Sequence, residues 1–284
     1  DSIANILSDL LKRSPTNYGD FQDKVDAIIK NVRDNGDKAV FDYTAQFDKA
    51  EINAENILVT EEEIKEAYEE VDDELIKVIR KAIKNIRDFH EKQIQKSWFE
   101  TREDGVMLGQ KVTPMETCGV YVPGGKAVYP SSVLMNIVPA HVAGVKNIIM
   151  TTPPGKDGKV TANTLVAAKE AGATKVYKVG GAQAIAAMAF GTESIPKVDK
   201  IVGPGNIFVA LAKKAVYGNV SIDSIAGPSE ILVLADETAN PRYVAADLLS
   251  QAEHDEMASA ILVTTSEELA HKVSDEIDGF LNQL

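Results

Sequence analysis

The sequence predicts an α/β protein, a helical N-terminal segment followed by two domains built on mostly parallel sheets. Three observations predict it. Apolar residues recur at helical spacing through the first hundred residues, short apolar strands alternate with helices beyond Gly105, and glycine-rich turns stand where those strands give way to helices.

Residues 1–101 read almost wholly as helix. Leu7, Leu10 and Leu11 share a face, and Phe21, Val25, Ile28, Ile29 and Val32 do the same over 21–33. Asn35-Gly36 ends that helix and Ala39–Phe47 begins the next. Thr60-Glu61-Glu62-Glu63 is a capping box, and Ile76, Ile79, Ile83 and Ile86 form one stripe of a charged helix running to His90. Val106–Val112 and Gly119–Val122 read as strands. After them come strand Asn147–Thr151, helix Ala162–Ala171, strand Lys175–Val179, helix Ala182–Phe190, strand Lys200–Val202 and helix Asn206–Tyr217. Such alternation means a parallel sheet covered on both faces, Rossmann-like in kind. Strand Ile231–Ala235 follows, then a helix opened by Asn240-Pro241, with asparagine as cap and proline at the first helical position. Strand Ser259–Thr264, a capping box at Thr265-Ser266-Glu267-Glu268, and a helix with Leu269, Val273, Ile277, Phe280 and Leu284 on one face complete the chain. A striped helix in this pattern normally leads to another strand, so a continuation beyond Leu284 is expected. The changes of texture near 119 and 235 suggest a discontinuous α/β domain, 1–118 with 235–284, into which an α/β domain of residues 119–234 is inserted.

Composition narrows the function. The 284 residues suffice for one large or two ordinary cores, and 44% hydrophobic with 26% charged residues is a globular profile. A formal net charge of −13 repels phosphate backbones and anionic bilayers, so a small-molecule ligand is expected and nucleic acid or membrane is not. One cysteine, Cys118, excludes an internal disulfide and suits a reducing compartment, so the cytoplasm is expected. No apolar run approaches the roughly 20 residues of a membrane span. The start at Asp1-Ser2-Ile3-Ala4 lacks a methionine and a signal pattern, and reads as processed or trimmed.

Four strand-to-helix turns are glycine-rich: Tyr121-Val122-Pro123-Gly124-Gly125, Val179-Gly180-Gly181-Ala182-Gln183, Val202-Gly203-Pro204-Gly205-Asn206 and Ala226-Gly227-Pro228-Ser229-Glu230. In a parallel sheet these lie at the carboxyl ends of the strands, where ligands bind and helix N-termini favour a phosphate. None is a full dinucleotide fingerprint. Asn206-Ile207-Phe208 follows Gly203-Pro204-Gly205 where a third glycine is needed, and no strand-end acid stands at the expected distance. Gln251 and His254, three apart on a helix, can aim an amide oxygen and an imidazole nitrogen at one cation, although such a pair is also common as a hydrogen-bonded cleft pair. Cys118 is a conceivable nucleophile, but with no histidine nearby it reads as a small buried side chain. His141 reads as a core or cleft residue, and His90 and His271 as solvated ones.

Gly119–Gly125, Val179–Ala187, Phe190–Ile201, Gly203–Asn206, Ala226–Glu230 and Asp247–His254, in that order, resemble the histidinol dehydrogenase family over about residue 20 to the end. The resemblance implies NAD-dependent four-electron oxidation of L-histidinol to L-histidine through L-histidinal, the last step of histidine biosynthesis, in a homodimer with one zinc per site. It carries NAD contacts onto Tyr121, Gln183 and Asn206, substrate contacts onto Ser229, Gln251 and His254, and zinc ligation onto Gln251 and His254. The family's Glu-His bases and remaining zinc ligands would lie beyond Leu284, so no catalytic residue falls in this chain, which is expected to be a fragment unable to complete the oxidation. Two other readings are a related zinc and NAD alcohol dehydrogenase acting on another small polar alcohol, and a non-catalytic binding or dimerisation fragment.

Overall fold

The computed structural model describes residues 19–124, 130–225, 230–253 and 258–282, with the backbone alone at 19–20. By contacts the chain divides at 225/226 into two compact units, 1–225 and 226–284.

The first unit opens with α1 (Gly19–Phe47), α2 (Glu61–Glu70) and α3 (Asp73–His90), followed by an exposed antiparallel hairpin, β1 (Trp98–Thr101) and β2 (Met107–Gln110). Asn35-Gly36 marks a kink within α1, where Gly36 adopts φ 55°, ψ −135°. Thr60 and Glu63 make the expected reciprocal cap of α2. The expectation of an almost wholly helical 1–101 needs correcting in two places. Residues 48–60 run as turns and extended backbone, tied down where Leu58 bridges Tyr177, and Trp98–Thr101 is a strand. Apolar spacing alone does not separate a short strand of four residues from a helical turn.

There follow β3 (Thr117–Tyr121), α4 (Pro130–Val142), β4 (Asn147–Thr152), α5 (Ala162–Ala171), β5 (Lys175–Lys178), α6 (Gly181–Phe190), β6 (Lys200–Val202), α7 (Ile207–Val216) and β7 (Ser221–Ile222). The five strands form one parallel sheet in the order β5-β4-β3-β6-β7. The chain starts in the middle strand, winds out one way through α4 and α5, returns along α6, and winds out the other way through α7. Strand order therefore reverses between β3 and β6, and a crevice opens at such a switch point.

Alternate residues of each strand serve opposite faces. Cys118, Val120, Ile148, Met150 and Val176 meet a layer formed by α4 and α5, with α2 and α3 joining the same cluster. Tyr121, Ile149 and Tyr177 join α6, α7 and α1 on the other face. Because both faces are covered, the strands are apolar runs rather than alternating ones. Helix α6 is covered as well, being in contact with β3 and β6 on one side and α1 on the other, and so Ala182–Ala189 are buried all round. Ile137, Ile148, Ile185, Ile195 and Ile201 are fully buried. Each stabilises the unit by roughly 1.5–3 kcal/mol through burial.

The second unit is β8 (Glu230–Ala235), α8 (Pro241–Ala252), β9 (Ser259–Thr264) and α9 (Glu267–Leu281), with β8 and β9 parallel around a core of Val244, Ala245, Leu248, Leu269 and Val273. Asn240 caps α8 by accepting from the Arg242 amide at 3.0 Å, with Pro241 at the first turn as expected. The cap of α9 is Ser266, one residue later than expected. Its hydroxyl accepts from the Leu269 amide at 3.1 Å, so residue three of the helix is leucine and no reciprocal box forms. Among the described residues no helix is long and apolar enough to cross a membrane.

Candidate functional site

The carboxyl ends of β3, β4, β5 and β6 open into a cleft of about 910 Å³ within the first unit. Tyr121, Thr152, Pro153, Gln183 and Asn206 line it from the sheet and its helices, and Phe47 and Asp48 line it from the end of α1.

The turn after β6 is held most tightly. Gly203 has φ +115°, and a Cβ there would stand 2.0 Å from the Tyr121 carbonyl oxygen, so only glycine lets the ends of β3 and β6 approach this closely. The Gly203 amide donates to Asp223 Oδ2 at 2.8 Å, and its carbonyl accepts from buried Lys213 Nζ at 2.9 Å. Lys213 also pairs with Asp223 Oδ1. Burial pushes the Asp223 carboxyl up, but the Lys213 ammonium and the amides of Gly203 and Ser224 outweigh it and hold the group below the usual carboxylate range. Just beyond, Asn206 Oδ1 accepts from the Val209 amide at 3.2 Å, capping α7. Its amide nitrogen remains a donor on the cleft wall.

Tyr121 is 3% exposed, and its phenol oxygen accepts from the Gly181 amide at 3.1 Å, fixing the start of α6 against β3. Burial pushes the phenol up to about 12, so it stays protonated. Gln183, in the first turn of α6, is 1% exposed, and neither its amide oxygen nor its amide nitrogen has a partner among the described residues. An unmet buried amide costs on the order of 1–3 kcal/mol. A ligand offering both a donor and an acceptor would offset that cost.

Tyr121, Gln183 and Asn206 thus line one cleft. The remaining expected site residues fall elsewhere. Gln251 is half-buried in the last turn of α8, in the second unit, and Ser229 and His254 lie outside the described residues. Among the described residues no three of histidine, cysteine, aspartate and glutamate are grouped to hold a metal. Cys118 is buried in β3 and burial pushes its thiol up to about 11, which suits the inert reading. His141, expected in the core or a cleft, is exposed instead. It lies on the same face of α4 as Leu134, Ile137 and Val138 but in the last turn of the helix, past those buried residues and beside Gly172. His271 is exposed as expected, 3.8 Å from Glu267.

Two parts of the cleft were missed in the sequence. Thr152-Pro153-Pro154-Gly155, after β4, is a fifth strand-to-helix turn and was recognisable as such. Asp48 arrives from outside the alternating block and carries no local signal.

Residues 11–284 match the family model described as histidinol dehydrogenase. The chain belongs to the histidinol dehydrogenase family. It is 61% identical to histidinol dehydrogenase of Bacillus subtilis (strain 168) over 92% of this chain and 60% of that protein. With the Bacillus licheniformis histidinol dehydrogenase it shares 58% identity over 100% of this chain and 66% of that one. A crystal structure of histidinol dehydrogenase from Elizabethkingia anophelis superposes with a TM-score of 0.89 at 43% identity, covering 98% of this chain and 64% of that chain. The chain spans about 60% of the length of curated histidinol dehydrogenases that it matches.

Proposed function

We propose that the complete protein is a zinc- and NAD-dependent histidinol dehydrogenase, oxidising L-histidinol through L-histidinal to L-histidine as the last step of histidine biosynthesis, as a homodimer in the cytoplasm. The observation that carries this reading is the cleft at the switch point. It brings together the three residues expected at the cofactor, one of them a buried amide with neither polar atom engaged among the described residues. Family membership supports the substrate.

The cleft residues fit a nicotinamide dinucleotide. Gln183 offers a donor and an acceptor, matched to a carboxamide or a ribose hydroxyl. Asn206 keeps an amide donor beside the N-terminus of α7, where partial positive charge favours a phosphate. Tyr121, protonated and tied to Gly181, keeps the floor of the cleft fixed and contributes no charge. NAD bound here supplies the hydride acceptor for each of the two oxidation steps. A rigid floor and a half-open wall suit a cofactor that is exchanged between the steps.

Gln251 and His254 are the residues proposed to hold zinc, with Ser229 contacting the substrate beside them. The metal would supply an anchor for the imidazole and amine of histidinol, away from the carbon that is oxidised. The proton-transfer groups are proposed to lie in the part of the family's length that this chain does not span.

The test is turnover of the complete protein with L-histidinol and NAD, following reduced cofactor. Two reduced cofactors per histidinol, with histidine as product, are expected. No turnover, or release of the aldehyde after one, would contradict the reading.

A further inference from the structure

The cleft contains an acid that the reading above leaves unused. Asp48 directly follows α1 and lines the cleft together with Tyr121, Thr152 and Gln183. Its Oδ2 is buried and has no partner among the described residues, where the side chain forms no ion pair. An isolated carboxylate in a partly dry cleft is unfavourable unless donors reach it.

We propose that Asp48 accepts from the hydroxyls of the adenosine ribose of the dinucleotide and thereby selects the cofactor that carries no 2′-phosphate. This rests on the cofactor reading above. A ribose diol presents two adjacent O–H donors, which match a carboxylate oxygen that lacks one, and such bonds to a charged acceptor are the stronger kind. A phosphate on the 2′-oxygen replaces a donor with a dianion and sets it against the carboxylate in the same cleft, where repulsion is weakly screened. The usual dinucleotide pattern places an acid for this task at a strand end about 20 residues past the glycine turn. In this chain Asp223 stands at such a place, directly after β7 and 20 residues past Gly203, but its carboxylate is taken up by the Gly203 amide and Lys213, so the free acid is Asp48, at the end of α1 outside the sheet. Burial pushes its carboxyl up to about 6, which still leaves it ionised at neutral pH. The other charged groups of the cleft are Glu70, Lys156, Asp157 and Lys159, and Lys159 is paired with Glu66 at 3.3 Å.

The experiment is calorimetry of the 284-residue chain with NAD, NADP and NAD lacking the adenosine 2′-hydroxyl, for the unsubstituted chain and Asp48→Asn. The unsubstituted chain should bind NAD more than tenfold tighter than NADP. Losing a hydrogen bond to a charged group should weaken NAD by roughly 10- to 100-fold in Asp48→Asn. The same loss should follow removal of the 2′-hydroxyl from the ligand, and it should not add to that of the variant. If Asp48→Asn binds NAD as tightly as the unsubstituted chain, or the unsubstituted chain binds the deoxy ligand as tightly as NAD, the role of Asp48 is overturned and the cofactor reading stands. The deoxy comparison needs no variant, so a folding defect cannot decide it. If the unsubstituted chain binds none of the three, both fall together.

Discussion

Replacing Gly203 with alanine tests whether the ends of β3 and β6 are held together as described. At φ +115° an alanine occupies a region that L residues avoid, and its Cβ would stand 2.0 Å from the Tyr121 carbonyl oxygen and 3.0 Å from the Tyr121 carbonyl carbon. The conformational part costs about 1–2 kcal/mol. The overlap is with backbone, which cannot swing aside as a side chain does, so relieving it adds about 1–3 kcal/mol. Gly218 is the matched control, since it has φ +100° and a Cβ there would meet nothing within 4 Å. Gly218→Ala should therefore lose only the first part. Urea unfolding followed by far-ultraviolet circular dichroism measures both variants, and Gly203→Ala should be the less stable by about 1–3 kcal/mol. It should also bind NAD more weakly, because the turn carrying Asn206 moves with it. Equal losses at the two glycines would refute the close approach.

Three further outcomes follow from the same geometry. Lys213→Met strands Asp223 and the Gly203 carbonyl, and should cost about 3–5 kcal/mol at neutral pH. Because the Asp223 carboxyl is held below its usual range, the pair's contribution is present above that range and lost as pH falls through the lowered value. A variant as stable as the parent in neutral urea titrations would show that the pair does not hold the turn. Cys118, buried with its thiol pushed up to about 11, should resist maleimide in the native chain at neutral pH and react fully in urea. Rapid native labelling would contradict its burial. Asp48 has its carboxyl raised to about 6, so it takes up a proton more readily folded than unfolded, and its ionisation destabilises the fold as pH rises through that value. Discounting for its partial exposure, Asp48→Asn should be the more stable chain by about 1 kcal/mol above pH ~7 and by nothing near pH ~4. A difference that does not change with pH would rule out the cause given for the shift.

The sheet domain was legible in the sequence because its signals are local. Lys175–Phe190 and Lys200–Tyr217 each carry strand, glycine turn and helix within a short stretch, and Asn206 caps α7 as its position suggests. The glycine-rich turns at the edge of the cleft were legible for the same reason, whereas Tyr121, Gln183 and Asn206 were singled out within them by the family resemblance. What was not legible depends on distance or on small differences in geometry. Trp98–Thr101 has no more residues than one helical turn, and its partner strand is needed to define it. Ser266 rather than Thr265 caps α9 because chain entry from β9 decides the register, which spacing alone does not report. His141 sits on the apolar face of its helix but in the last turn, past the buried Ile137 and Val138, and spacing alone does not report where burial stops. Asp48 enters the cleft from 73 residues before Tyr121 in the chain, and nothing around it in sequence announces the role.

Hydrogen exchange of the 284-residue chain with and without NAD tests the cofactor cleft most directly. Exchange should slow at the start of α6 around Gln183, at the Gly203–Val209 turn and its cap, and at Phe47–Lys49, and remain unchanged in the β1–β2 hairpin. Protection that avoids these three segments, or that appears only in the hairpin, would contradict the account.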